Sequence, residues 1–317
     1  MKTGLTERLT ERHILCIILT CTFIFRLLTL EIIEDSGDGM YYWRAAQQLS
    51  LGLPYGALDH WKTRFGLILP VLGIIRLFGS HPAVYYILPI TMALIQSALL
   101  YRLVYELYGR SAGLVSVALL VLYPEMIRAS SQLLPGIFSG TWVLASLFFM
   151  HRSVRSERGG ILYLAASALM MFIAYETKIT NLFYAPGAAV FLLVSTRSFK
   201  APVIWSSALL GLFIIECILY HHFTGDVLAR AHAIAGEHLE SRSLRSIPFY
   251  MLFYRWVRPG PLFMGVLGLS FWAVFRCIKE KCREQGAVIL LPLASFIILL
   301  TFSVKSINPL VQAVNTQ

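Results

Sequence analysis

Charge is what this chain has least of. Asp, Glu, Lys and Arg make up 14% of its 317 residues, where a soluble protein would carry about 25%. Hydrophobic residues reach 57% and the mean hydropathy is +0.68, which excludes a soluble globular enzyme and puts the chain among polytopic membrane proteins. Other absences narrow the class further. The five cysteines are placed where no disulfide would form: Cys16, Cys21 and Cys217 in apolar runs, Cys277 and Cys282 in a loop expected to face the cytoplasm. No GxxxxGK[ST], no GxGxxG turn and no Asp-x-Asp pair occurs, so nothing in the chain is built to hold a nucleotide or a metal-bound nucleotide sugar. The formal charge of +10 has no basic, aromatic-interleaved soluble module to carry it, so a nucleic-acid partner is not expected. No long linker, low-complexity tract or clear repeat divides the sequence, which reads as one membrane domain over 1–317.

What is present is a series of apolar runs. A membrane-crossing helix needs about 20 mostly apolar residues, and about nine such segments are expected, near 13–33, 83–107, 111–124, 134–150, 160–176, 179–195, 203–223, 260–276 and 286–304. The first run ends in Leu30-Glu31-Ile32-Ile33-Glu34 with no small-x-small cleavage pattern, and is read as an uncleaved anchor. Phe65 to Gly79 is shorter, holds Pro70 and carries Arg76 near its end, and is expected as a half-buried or surface-lying helix. The fold class expected is all-α, a polytopic transmembrane helix bundle with amphipathic juxtamembrane helices in the first outer loop.

Orientation follows from the cations. Lys2, Arg8, Arg12, Arg110, Arg152, Arg155, Arg158, Arg197, Lys200, Arg276, Lys279, Lys281 and Arg283 crowd into the short loops on one side, while the longer loops on the other hold fewer. Lys and Arg are retained inside, so the N-terminus is expected in the cytoplasm of a cell inner or plasma membrane. The first outer loop is then 34–65 and the second 224–259. Within the second, Val227, Leu228, Ala231, Ile234, Ala235 and Leu239 recur at helical spacing from Asp226 to Ser243, as in a helix lying on the membrane surface. His221, His222, His232 and His238 gather nearby without metal-ligand spacing.

An outward-facing site sees little nucleotide, so an activated donor there would be carried by a lipid. The first outer loop concentrates polar groups in Glu34-Asp35-Ser36-Gly37-Asp38-Gly39-Met40-Tyr41-Tyr42-Trp43-Arg44 and again in Asp59-His60-Trp61-Lys62-Thr63-Arg64. Arg128 and Lys178 lie at the same ends of later spans. Cations held beside apolar walls suit an anionic phosphate headgroup, although Glu125 and Glu176 are sequence neighbours able to neutralise Arg128 and Lys178. A sugar phosphate loses its leaving group as an anion and so needs fixed positive charge, whereas the acceptor hydroxyl needs a base. One carboxylate among several cations is enough, unlike the paired carboxylates of glycoside hydrolysis.

The residues Asp38-Gly39-Met40-Tyr41-Tyr42-Trp43-Arg44-Ala45-Ala46, Leu51-Gly52-Leu53-Pro54-Tyr55, Lys62-Thr63-Arg64-Phe65-Gly66-Leu67-Ile68-Leu69-Pro70 and Leu77-Phe78-Gly79 resemble the opening of the GT-C membrane glycosyltransferases, nearest to the protein O-mannosyltransferase and aminoarabinose transferase-like group, glycosyltransferase family 39. The resemblance continues through Leu107-Tyr108-Gly109-Arg110-Ser111-Ala112-Gly113, Tyr123-Pro124 and Leu134-Pro135, and fades after about residue 200. It implies a GT-C-like fold and an enzyme that moves a sugar from a polyprenyl-phosphate carrier to a glycan, lipid or protein acceptor on the extracytoplasmic side, with inversion. The family's first-loop acid falls on Asp38, and the basic residue of its phosphate-contacting element on Lys62 or Arg64. Many relatives carry Asp-Glu where this chain has Asp38-Gly39, and Pro-Glu where it has Pro135-Gly136.

The expected roles are therefore Asp38 as general base with Asp35 or Glu125 in support, Lys62, Arg64, Arg128 and Lys178 on phosphate, and Tyr41, Tyr42 and Trp61 on sugar faces. No cofactor or metal ligand set is assigned, and a divalent cation stays open. Glu216, inside a span, is expected to face the protein interior. The alternative readings are a transporter or flippase for a lipid-linked or anionic solute, with Arg26, Arg76 and Glu216 lining a path, a non-enzymatic assembly subunit, or an inactive or truncated family member.

Overall fold

The computed structural model describes residues 2–33, 37–53, 61–156 and 159–233. Every regular element among the described residues is helical: α1 (Lys2–Leu28), α2 (Asp38–Ser50), α3 (Phe65–Phe78), α4 (Pro82–Tyr85), α5 (Ile87–Tyr108), α6 (Arg110–Leu122), α7 (Pro124–Ala129), α8 (Pro135–Arg155), α9 (Gly160–Thr177), a 3-10 helix (Ile179–Tyr184), α10 (Ala185–Thr196) and α11 (Lys200–Thr224). The chain is an all-α membrane bundle, as its composition requires. The apolar segments at 260–276 and 286–304, and the second outer loop beyond 233, lie outside the described residues.

Proline and glycine set the breaks. Pro82, Pro124, Pro135 and Pro186 stand in the first turn of their helices, where a missing N–H costs nothing. Pro186 also explains why the segment read as one span over 179–195 divides: its nitrogen cannot continue the preceding turn, so a 3-10 helix runs to Tyr184 and α10 begins at Ala185. Gly79 and Gly109, at φ +82 and +87, stop α3 and α5 in a region side-chain-bearing residues avoid.

Pro82–Tyr108, Gly160–Thr177, Ile179–Thr196 and Lys200–Thr224 are long and apolar enough to cross a membrane, and His13–Leu28, Phe65–Phe78 and Arg110–Leu122 are shorter apolar helices. α11 leaves Leu210, Ile214, Ile218 and Phe223 exposed, an outward apolar surface suited to lipid. α3 is half-buried: Leu67, Ile68, Val71 and Ile75 face inward while Leu69, Leu77 and Phe78 do not.

Among the described residues, two cores hold the bundle. One joins α2, α3, the start of α5 and residues 133–138 around Tyr42, Trp43, Tyr85 and Phe138. The other joins α8, α9, α10 and α11 around Phe191 and Trp205. There Trp205 Nε1 donates to Ser167 Oγ (3.1 Å) and Ser146 Oγ to the Ser167 carbonyl (2.9 Å), so small hydroxyl residues stitch helices where no water competes.

The two ends of the bundle differ. At one, Arg102 pairs with Glu11 and Arg152 with Glu106. At the other, the Tyr86 hydroxyl donates to the Glu31 carbonyl (2.8 Å) and Gln132 Nε2 to the Glu31 carboxylate (3.2 Å). The start of α2, the turn before α3 and the end of α9 gather at this second end.

Candidate functional site

The helix α2 carries the first part of the site. Its buried residues Gly39, Tyr42, Trp43, Ala45 and Ala46 form the inward stripe of an amphipathic helix, which leaves Asp38 and Tyr41 exposed. Asp38 stands in the first turn after Gly37, where the free amides and the helix dipole favour a carboxylate. Tyr41 and Tyr42 follow at i+3 and i+4, so both lie above Asp38 on one side of the helix, Tyr42 about 6 Å further along the axis at 1.5 Å per residue.

The turn before α3 supplies the second part. Trp61 stacks on Tyr41, ring centroids 5.6 Å apart and 19° from parallel, and leans on Tyr42 at 5.8 Å. Arg64 Nη1 donates to the Tyr42 hydroxyl, and its guanidinium lies 5.1 Å from the Trp61 ring and 5.6 Å from the Tyr42 ring. Tyr42 is fully buried while Tyr41 is 53% exposed, so only the second presents an open ring. Lys62 lies in the same turn, half-buried.

The third part comes from α9. A Cβ on Gly66 would collide with Thr177 and the Ile173 carbonyl, so α3 and the last turn of α9 touch backbone to backbone. Lys178 follows that turn, with its amide donating to the Ala174 carbonyl (2.9 Å). Desolvation first, and then the positive charge of Arg64, hold the Lys178 ammonium below its ordinary pKa. Two cations far apart in sequence thus share one small region beside the aromatic cluster, with Asp38 a turn away on α2.

Other predicted residues are not drawn in. Asp35 lies outside the described residues. Glu125 and Arg128 are exposed on α7, and among the described residues no hydrogen bond, ion pair or ring contact joins either to this cluster or to the other. Glu176 is buried and serves Arg230 instead of Lys178: Arg230 Nη1 donates to Glu176 Oε1 (2.7 Å) and to Glu216 Oε1 (3.1 Å). Glu216 thus faces inward, as its place in a span requires. Asp226 accepts from the Leu228 amide (2.9 Å) and pairs with His232 (2.7 Å); these bonds hold its carboxyl below the usual carboxylate range. Among the described residues no three His, Cys, Asp or Glu side chains gather as metal ligands.

Sequence reading missed Arg230 and Gly66. A signal for the first was available: carboxylates at 176 and 216 inside apolar runs need a buried cation, and Arg230 is the first Arg or Lys after the 203–223 run. Gly66 gives no such signal, because its contact is with a helix a hundred residues away.

Residues 71–221 match the family model described as dolichyl-phosphate-mannose-protein mannosyltransferase. That stretch includes Leu77-Phe78-Gly79, Leu107-Tyr108-Gly109-Arg110-Ser111-Ala112-Gly113, Tyr123-Pro124 and Leu134-Pro135, the later part of the resemblance, and is similar to a family of membrane glycosyltransferases. The match contains Arg128, Glu176, Lys178 and Glu216 and begins after Asp38, Lys62 and Arg64, whose part in the site rests on the geometry above. No curated protein and no solved structure matches the chain.

Proposed function

We propose that this protein is a membrane glycosyltransferase that takes a sugar from a polyprenyl-phosphate donor and places it, with inversion, on a hydroxyl acceptor at the extracytoplasmic face. The observation that carries the reading is the convergence of Arg64 and Lys178, from separate segments, at the end of the bundle where Asp38 opens α2. Like charges are brought together at a cost, which an anionic ligand offsets. Lys62, in the same turn as Arg64, adds to the field.

In the reaction the bond between the sugar anomeric carbon and the phosphate oxygen breaks, and the electron pair leaves with the phosphate. Arg64 and Lys178 stabilise that developing charge, Arg64 held in place by Tyr42. The acceptor oxygen attacks the opposite face of the anomeric carbon, and its proton passes to the Asp38 carboxylate. A base so placed contributes about 10²–10⁴-fold. The stacked pair Tyr41 and Trp61 offers the apolar surface on which a sugar ring can lie. Glu125 and Arg128 lie on α7 outside this cluster, Glu125 as a candidate acceptor contact and Arg128 as a further phosphate-binding cation.

The test is sugar transfer in membranes from a polyprenyl-phosphate-sugar donor, comparing the natural chain with Asp38→Asn at equal expression. Transfer should fall by at least about 10²-fold; retained transfer overturns the base assignment. Uptake of a solute into vesicles with no glycosyl transfer would replace this reading with a transporter.

A further inference from the structure

One buried charged cluster has no part in that chemistry. Arg230, Glu176 and Glu216 have side chains only 5%, 9% and 10% exposed. Besides its two carboxylates, Arg230 donates through Nη2 to the Tyr175 carbonyl (2.8 Å), and its guanidinium lies 4.1 Å from the Tyr175 ring. Tyr175 and Glu176 belong to the last turn of α9, where carbonyls have no donor within the helix and a cation is favoured by the dipole. Arg230 therefore caps α9 from outside, while Glu216 ties the same guanidinium to α11.

The cluster stands directly behind the two cations of the site. Glu176 is two residues before Lys178, and Asn181 Nδ2 donates to the Ala174 carbonyl (2.8 Å) to complete the turn. Tyr220, one helical turn beyond Glu216, packs on Phe65 with ring centroids 6.2 Å apart, and Phe65 follows Arg64. Both η nitrogens of Arg230 donate to protein acceptors and its side chain is only 5% exposed, so it acts through what it holds.

We infer that Arg230 is a positioning residue: by pinning the last turn of α9 to α11 it fixes Lys178 beside Arg64. This rests on the reading of Arg64 and Lys178 as phosphate-binding. It differs from ordinary packing in one respect, since its effect on phosphate binding should pass through Lys178 and vanish without it.

The experiment uses the full chain in detergent and two readouts: amide exchange over 175–181, and affinity for polyprenyl monophosphate. Arg230→Met should speed exchange there and weaken binding by about tenfold, which is about 1.4 kcal/mol. Arg230→Lys, which keeps the charge and loses the fork, should fall between, and serves if the methionine variant does not fold. In a Lys178→Met background Arg230→Met should weaken binding no further, the non-additivity expected of residues acting as a unit. Unchanged exchange, or the same fold-loss of binding in both backgrounds, overturns the inference. If Lys178→Met and Arg64→Met both bind polyprenyl monophosphate as the natural chain does, the phosphate reading fails instead, and exchange alone decides whether Arg230 pins α9.

Discussion

Gly66 lies against Thr177 with no room for a side chain between them. That contact brings the start of α3, and Arg64 just before it, to the end of α9, where Lys178 begins the next segment. The two cations thus depend on a backbone approach that only glycine permits.

Gly66→Ala should accordingly be destabilising out of proportion to its size. The added methyl meets the Ile173 carbonyl and the Thr177 amide, backbone atoms that a rotamer change cannot move. Overpacking of this kind costs about 1–3 kcal/mol, to be read as a lowered Tm of the detergent-solubilised chain. The same shift parts Arg64 from Lys178, so KM for the donor should rise more than KM for the acceptor. An unchanged Tm would show that the helices do not meet as described.

Tyr42→Phe tests whether Arg64 is held or merely nearby. The ring stays, so the packing around Trp43 and Ala46 is kept, but the hydroxyl that receives Arg64 Nη1 is lost. A hydrogen bond to a charged group contributes about 1.5–3 kcal/mol, and roughly tenfold weaker donor use is expected at equal stability. Equal weakening toward donor and acceptor would mean that Arg64 does not meet phosphate.

Much of this was legible in the sequence. Apolar runs located α5, α6, α8, α9 and α11 to within a few residues because apolar stretches in a membrane satisfy their backbone as helices, and Asp38 marked the start of α2 because carboxylates collect at helix N-termini. What could not be read was pairing. Lys178 and Glu176 look like partners in the linear chain, yet on α9 and just beyond it they point to different neighbours, and Glu176 is claimed by Arg230. Tyr41 and Tyr42 are likewise adjacent in sequence and both touch Trp61, yet one ring is exposed and the other buried beneath Arg64.

The lowered pKa of Lys178 has a direct consequence. Its ammonium loses its charge as pH rises through a value below that of an ordinary lysine. Donor affinity should therefore fall along an alkaline limb earlier than free lysine would give. Arginine does not titrate in this range, so Lys178→Arg should carry that limb to higher pH while leaving the acid side in place. Identical pH profiles for the two chains would remove Lys178 from the phosphate site.

Gly39 bears on why this chain has one carboxylate at the start of α2 where many relatives of the resembled family have two. A Cβ at 39 would collide with the Tyr85 hydroxyl, and that hydroxyl accepts the buried Leu133 amide (3.1 Å). The position is buried against protein, about 100° round the helix from the exposed Asp38. A glutamate introduced there would displace Tyr85, orphan the Leu133 amide and bury a charge, each costing about 1–3 kcal/mol or more. Gly39→Glu should thus lower Tm sharply and add nothing to transfer, and Gly39→Ala should cost less. Gly39→Ala should cost less in a Tyr85→Phe background than in the natural chain, because the colliding oxygen is already gone. A stable and more active Gly39→Glu would show instead that the second acid belongs to the chemistry and that α2 can turn to present it.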